Sequence, residues 1–142
     1  MATATAYGPG FQNFFDNNID WVNDTIKVAL TTSTYTPNQD THEFFSDVTN
    51  EVTGTGYTAG GQTLTTKTAT YDSATNTIKL DAADVTWASS TITARYAVVY
   101  KDTGVSTTSP LICYIDFVSD QSSSSGDFTI TWDANGIINV TV

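Results

Sequence analysis

The stretch EVTGTGYTAGGQTLTTKTATY, residues 51–71, decides between two folds. Gly54, Gly56 and Ala59 satisfy the relaxed dinucleotide fingerprint G-x-G-x-x-G/A, and Gly60 and Gly61 follow at once. In a nucleotide-binding α/β protein such glycines lie between a buried parallel strand and a helix whose N-terminus faces the pyrophosphate. Neither neighbour fits here. SDVTNEV, before the glycines, is not a buried strand, and QTLTTKTATY, after them, alternates with period two in β-branched residues. No Gly-Lys-Ser/Thr follows, so the Walker pattern fails too. The stretch therefore reads as a turn of positive-φ glycines that presents Tyr57 at its tip and leads into a strand.

Outward from that turn the same period recurs. TIKVALTT, from Thr25, sets Ile26, Val28 and Leu30 against polar partners, as in a half-buried strand. QTLTTKTATY and NTIKL flank the turn cluster DSAT and predict a hairpin from about Thr63 to Leu80. VTW at 85–87 predicts a short strand. TITARYAVVY (91–100) places Ile92, Ala94, Tyr96, Val98 and Tyr100 on one face, with Ala97 and Val99 opposite. PLICYIDFV (110–118) is apolar on both faces, as a central strand requires. FTITW and IINV flank DANG, a turn in which Gly136 takes positive φ. Helical spacing is confined to two short places. GFQNFFDNNIDWV groups Phe11, Phe14, Phe15 and Ile19, with Pro9 at its start. DTHEFFSDV offers Asp40 or Thr41 as a cap, with acids in the first turn. The predicted fold is all-β: an antiparallel β-sandwich or jelly-roll-like domain of about eight to ten strands, with one or two short helices in its N-terminal half. Residues 1–10 (MATATAYGPG), small and Gly/Pro-rich, read as an extended arm, and residues 11–142 as the single domain.

Composition narrows the function classes. The chain has 142 residues, enough for one sizeable core, and is 39% hydrophobic and 12% aromatic. Asp and Glu total 15 against 5 Lys and Arg, a net charge of −10. Such a surface repels phosphate backbones and anionic membranes, so neither nucleic acid nor membrane is an expected partner. Charged residues make up only 14% of the chain, and Thr supplies much of the polarity. That profile is common in extracellular and virion β-proteins. MATATAYGPGFQNFF lacks a basic n-region and a long apolar run, and does not read as a secretory signal. The sequons at Asn23 and Asn139 carry weight only in a secreted protein.

No catalytic, cofactor or metal constellation emerges. Asp16, Asn18 and Asp20 match the first EF-hand ligand spacings, but Trp21 replaces the required glycine and Lys27 the bidentate Glu. Asp81 with Asp84, or Asp116 with Asp120, remain open as contributors to a loop calcium site; solvated carboxylates are the simpler account. His42 is the single histidine and has no nucleophile elbow to serve. Cys113, also alone, sits mid-strand in an apolar run and reads as a buried, inert thiol. Trp21, Trp87 and Trp132 either anchor the core or form a sugar-binding platform; the alternation of Trp132 with Phe128 and Ile130 favours the core.

Three long segments carry a resemblance: IDWVNDTIKVALTTSTYTPNQDTHEFFSDVTNEVTGTGYTAGGQTL, DAADVTWASSTITARYAVVY, and PLICYIDFVSDQSSSSGDFTITWDANGIINVTV. Together they resemble small structural proteins of tailed bacteriophages, head-associated and of the decoration or cement kind. The resemblance implies a non-enzymatic protein of the virion, made in the bacterial host cytoplasm and placed on the capsid surface. Its implied partners are the major capsid protein and itself, as a homotrimer, with no cofactor. The arm suggests Tyr7, Pro9 and Phe11, together with Tyr57, as capsid or subunit contacts. The alternatives are a carbohydrate-binding receptor or tail module, and a head-completion or tail-tube protein.

Overall fold

A computed structural model describes residues 4–142. Ten strands occur among them: β1 (Ala4–Ala6), β2 (Ile26–Thr31), β3 (Gln62–Thr63), β4 (Thr68–Asp72), β5 (Thr77–Asp81), β6 (Val85–Ser90), β7 (Thr93–Lys101), β8 (Leu111–Ser122), β9 (Gly126–Ile130) and β10 (Ile138–Thr141). All pair antiparallel. One sheet runs β1-β8-β7-β2-β3; a three-stranded sheet β10-β5-β4 and the ribbon β6-β9 form the other layer of an all-β sandwich. The predicted hairpin is β4–β5, with Tyr71 opposite Ile78.

The main core lies between the layers. Ile26, Val28 and Leu30 of β2 and Ala97 and Val99 of β7 meet Leu80, Trp87, Phe128, Ile130 and Ile138 from the other layer. The opposite face of the large sheet is also covered. Ala29, Val98, Tyr100 and Leu111 pack there with Tyr7 and Tyr35 beneath the segment that follows β2. Phe45 stacks on Tyr100 with ring centroids 4.0 Å apart. Both faces being buried explains why β8 opens with an unbroken apolar run.

Period two fails once inside β7. Ile92 and Ala94 join Ala97 and Val99 in the main core, whereas Tyr96, Val98 and Tyr100 face the second cluster. The expected grouping of all five even-numbered residues is thus corrected. The register shifts between Ala94 and Tyr96, where Ala94 faces Gln121 but Tyr96 faces Asp116. A bulge changes the parity of everything beyond it. Its bulged segment on β8 holds Val118 at φ 70, in the left-handed region, with the residue 76% exposed.

The helices are shorter than the spacing suggested. α1 is Gly8–Phe11, followed by a 3₁₀ turn, Gln12–Phe14. The stretch 40–48 contains only the 3₁₀ turn Phe45–Asp47. There the Asn38 side chain accepts the N–H groups of Asp40 and Thr41, and the Asp47 carboxylate those of Glu43 and Phe44. Side chains that capture local N–H groups compete with the helix.

The arm is corrected as well. Met1–Thr3 lie outside the described residues, but Ala4–Ala6 pair with Cys113–Ile115. Tyr7 is fully buried, and its N–H donates to the Ile112 carbonyl at 3.1 Å. Residues 4–10 are therefore part of the domain. An alternation of Ala and Thr is enough for an edge strand once β8 supplies the ladder.

Candidate functional site

The four expected contact residues divide. Tyr7 donates or accepts at Tyr35 Oη (2.8 Å), and Tyr35 Oη meets His42 Nδ1 at 3.0 Å. Burial pushes the Tyr7 phenol well up, and that of Tyr35 up to about 12. Tyr7 is a core post with no surface to offer. Pro9 and Phe11 are half-buried, Phe11 packing against the main core and beside Phe14.

Tyr57 is not displayed at a loop tip. Its Oη accepts the Leu30 N–H at 2.9 Å and donates to Glu51 Oε1 at 2.6 Å. Its ring stacks on Trp87, and desolvation raises its phenol strongly. The glycines are turns, as predicted: Gly56, Gly60 and Gly61 all have positive φ. At Gly61 a Cβ would lie 1.8 Å from the Val28 carbonyl oxygen, so the loop presses directly on β2. Glu51 Oε1 also accepts the Gly60 N–H. Val52 and Thr32 donate to the carbonyls of Leu30 and Asn50, and Leu64 to that of Ile26. The outer edge of β2 is closed along its length, partly by β3 and partly by these loop groups.

The opposite flank is built differently. β1 is one edge of the large sheet, opposite the two-residue β3; β9 pairs only with β6, and β10 only with β5. All three contribute to one groove of about 930 Å³. Ala4 and Ala6 stand on one side, and β9 with the start of β10 on the other. Ile115, Phe117 and Phe128 reach it from the margin of the main core, with Phe117 and Phe128 6.2 Å apart. Val118 stands at its lip. The charged residues lining it are Asp127 and Asp133, and no Lys or Arg is among the described residues that line it. Each acid accepts one backbone N–H, Asp127 from Ser89 and Asp133 from Asn135. Edge strands present unpaired N–H and C=O groups, so the groove joins hydrogen-bonding edges, apolar surface and negative charge.

Charge elsewhere has the same sign. Lys27, Lys79, Arg95 and Lys101 form ion pairs with Asp102, Asp72, Asp116 and Asp24, and Lys67 donates to the Asp24 carbonyl. Every cationic side chain is engaged, and most carboxylates face none. The Arg95 guanidinium, with the Val118 N–H, holds Asp116 below the usual carboxylate range. Both Asp116 oxygens are engaged by the Arg95 guanidinium, so the expected calcium pairing with Asp120 would have to compete with this ion pair. Asp84 accepts the Trp132 N–H, and Asp20 the N–H groups of Val22 and Asn23. No group of three or more His, Cys, Asp or Glu suited to a metal gathers among the described residues. Trp21, Trp87 and Trp132 are all buried in the main core, leaving no tryptophan platform for a sugar. Cys113 is fully buried, and desolvation raises its thiol.

The groove lining was not anticipated. The alternation of Phe128 and Ile130 was visible, but which strand edges lack partners is a property of topology. The chain matches no family model, no curated protein and no solved structure.

Proposed function

We propose that this chain is a non-enzymatic structural protein of a tailed-phage head, one that binds the assembled lattice and stabilises it. The supporting observation is the contrast between the two flanks of the sandwich. One is sealed by loop groups aimed at β2; the other gathers three strand edges around an apolar, acidic groove. A domain of this kind is equipped to hold another polypeptide. The resemblance of the three long segments supplies the setting.

A protein that binds only the mature lattice stabilises it by mass action, and contacts spanning neighbouring capsomers raise the barrier to their separation. The homotrimer expected from the resemblance belongs to this proposal. Three copies would each bring a net charge of −10, so close assembly calls for screening or for a cationic platform beneath.

Quantitative mass spectrometry of purified source virions tests the reading. A copy number comparable with that of the major capsid protein supports decoration. A few copies per particle would move the role to the neck or tail, and absence would end it. Sedimentation of the purified chain tests the trimer separately: a monomer both free and on the shell overturns it.

A further inference from the structure

We infer that the groove bounded by β1, β9 and β10 is a strand-acceptor site, whose occupant is an extended segment alternating apolar with Lys or Arg side chains. On the reading given above, that segment belongs to the lattice protein. Four observations converge on it.

The first is the backbone. β1, β9 and β10 each have one neighbour only, and all three contribute residues to the same cavity. An added strand takes its affinity from main-chain hydrogen bonds and its specificity from alternate side chains. β9 alone runs five residues, about 17 Å of ladder. The second is the contrast within one molecule. The far edge of β2 is closed by Tyr57 Oη, Val52, Leu64 and β3, so this fold has ready means of sealing an edge. The third is the chemistry of the lining. Phe117 and Phe128 offer apolar surface to one face of an incoming strand. Asp127 and Asp133, with no cation among the described lining residues, select positive charge on the other. A second copy, itself at −10, brings the wrong sign. The fourth is the lip. Val118 is β-branched, has φ 70 and is 76% exposed. The Asp116 carboxylate accepts both its N–H and the Arg95 Nε–H at 2.7 Å, so the strained turn is pinned. Strain of this kind is retained where the surroundings over-determine it, and such places cluster at ligand clamps.

The test uses the full chain and three blocked nonapeptides: alternating Lys-Val, alternating Glu-Val, and a block peptide with the Lys and Val content of the first. Amide spectra and hydrogen exchange are followed during titration. The expected result is binding of the Lys-Val peptide, with shifts and new protection confined to Gly126–Ile130, Ala4–Ala6 and Ile138–Thr141. The Glu-Val and block peptides should bind at least about tenfold more weakly. Asp127→Asn and Asp133→Asn keep acceptors for the Ser89 and Asn135 N–H groups. Each should weaken the Lys-Val peptide about two- to fivefold, as loss of an exposed charge pair does. Equal binding of all three peptides, protection on β4 instead, no binding at millimolar peptide, or filling of the groove by self-association would each overturn the assignment. Virion copy number reads the lattice role independently. Peptide binding with a low copy number keeps the acceptor and loses the lattice; a high copy number with no peptide binding does the reverse.

Discussion

Replacing Tyr57 by Phe removes one oxygen from the middle of the sealed flank. That oxygen accepts the Leu30 N–H at 2.9 Å and donates to Glu51 Oε1 at 2.6 Å. Leu30 is fully buried, so its N–H would be left without a partner, at a cost of about 1–3 kcal/mol. A hydrogen bond to a charged acceptor contributes about 1.5–3 kcal/mol net. The two losses share one hydroxyl and overlap, so the expected destabilisation is about 2–4 kcal/mol. At about 3–5 °C per kcal/mol for a chain of this size, the melting temperature should fall by roughly 6–20 °C. Urea unfolding followed by circular dichroism gives the free energy, and native-state hydrogen exchange should show the Leu30 amide released ahead of its β2 neighbours. Tyr71→Phe is the control, because the exposed Tyr71 Oη donates only to the Asn76 side chain. It should lie within about 0.5 kcal/mol of the parent. If the two substitutions have equal effects, Tyr57 does not seal the edge of β2, and the argument from the contrasting flanks fails with it.

Gly61→Ala should destabilise by more than about 3 kcal/mol. It adds a clash with the Val28 backbone to the roughly 1–2 kcal/mol that a Cβ costs at positive φ. Gly104→Ala has φ +87 but open space, so only the conformational cost of about 1–2 kcal/mol should show in the same urea midpoints. Val118→Gly should stabilise the fold by about 0.5–1 kcal/mol. It relieves left-handed strain and incurs only the entropy of glycine; a clear loss of stability would show that the strain argument is wrong. Asp72, Asp102 and Asp116 are held below the usual carboxylate range by Ala74 N–H with Lys79, by Lys27, and by Arg95 respectively. A carboxylate with a lowered folded pKa contributes stability that is complete above its unfolded value, about 3.9, and is lost as pH falls through the folded one. Urea midpoints should therefore stay level above about pH 5 and decline below about pH 4. Asp116→Asn should make the decline shallower, and midpoints unchanged down to pH 2.5 would contradict the assignment.

Much of the fold was legible because much of it is local. The alternation of Ile26, Val28 and Leu30, the DSAT turn and the apolar run of β8 each carry their own structural signal. Departures came where distant partners decide. Tyr96 exchanges faces with Ala97 because β8 carries extra residues opposite it, and no property of TITARYAVVY records that. Asn38 and Asp47 dissolve the helix that DTHEFFSDV suggested, because their amide and carboxylate oxygens accept the N–H groups of Asp40, Thr41, Glu43 and Phe44. Ala4–Ala6 becomes a strand because β8 has a free side. Tyr57 looked like a display residue because glycines surround it, yet those glycines let the loop fold back until its hydroxyl reaches β2. The groove was the least legible feature, since it consists of edges that found no partner.

Open edges carry a hazard, because a surface that accepts a foreign strand can also accept its own kind and grow. Here the scattered acidity works as a colloidal safeguard. Strands pair at about 4.8 Å, well inside the screening length of about 8 Å at physiological ionic strength. Two copies approaching through this flank would bring Asp127 and Asp133 together while repulsion is still felt. In molar salt the screening length shrinks to about 3 Å, and that protection fades. Shelf life in concentrated salt, rather than heat tolerance, is therefore where the burden of carrying unpaired strands should first become visible.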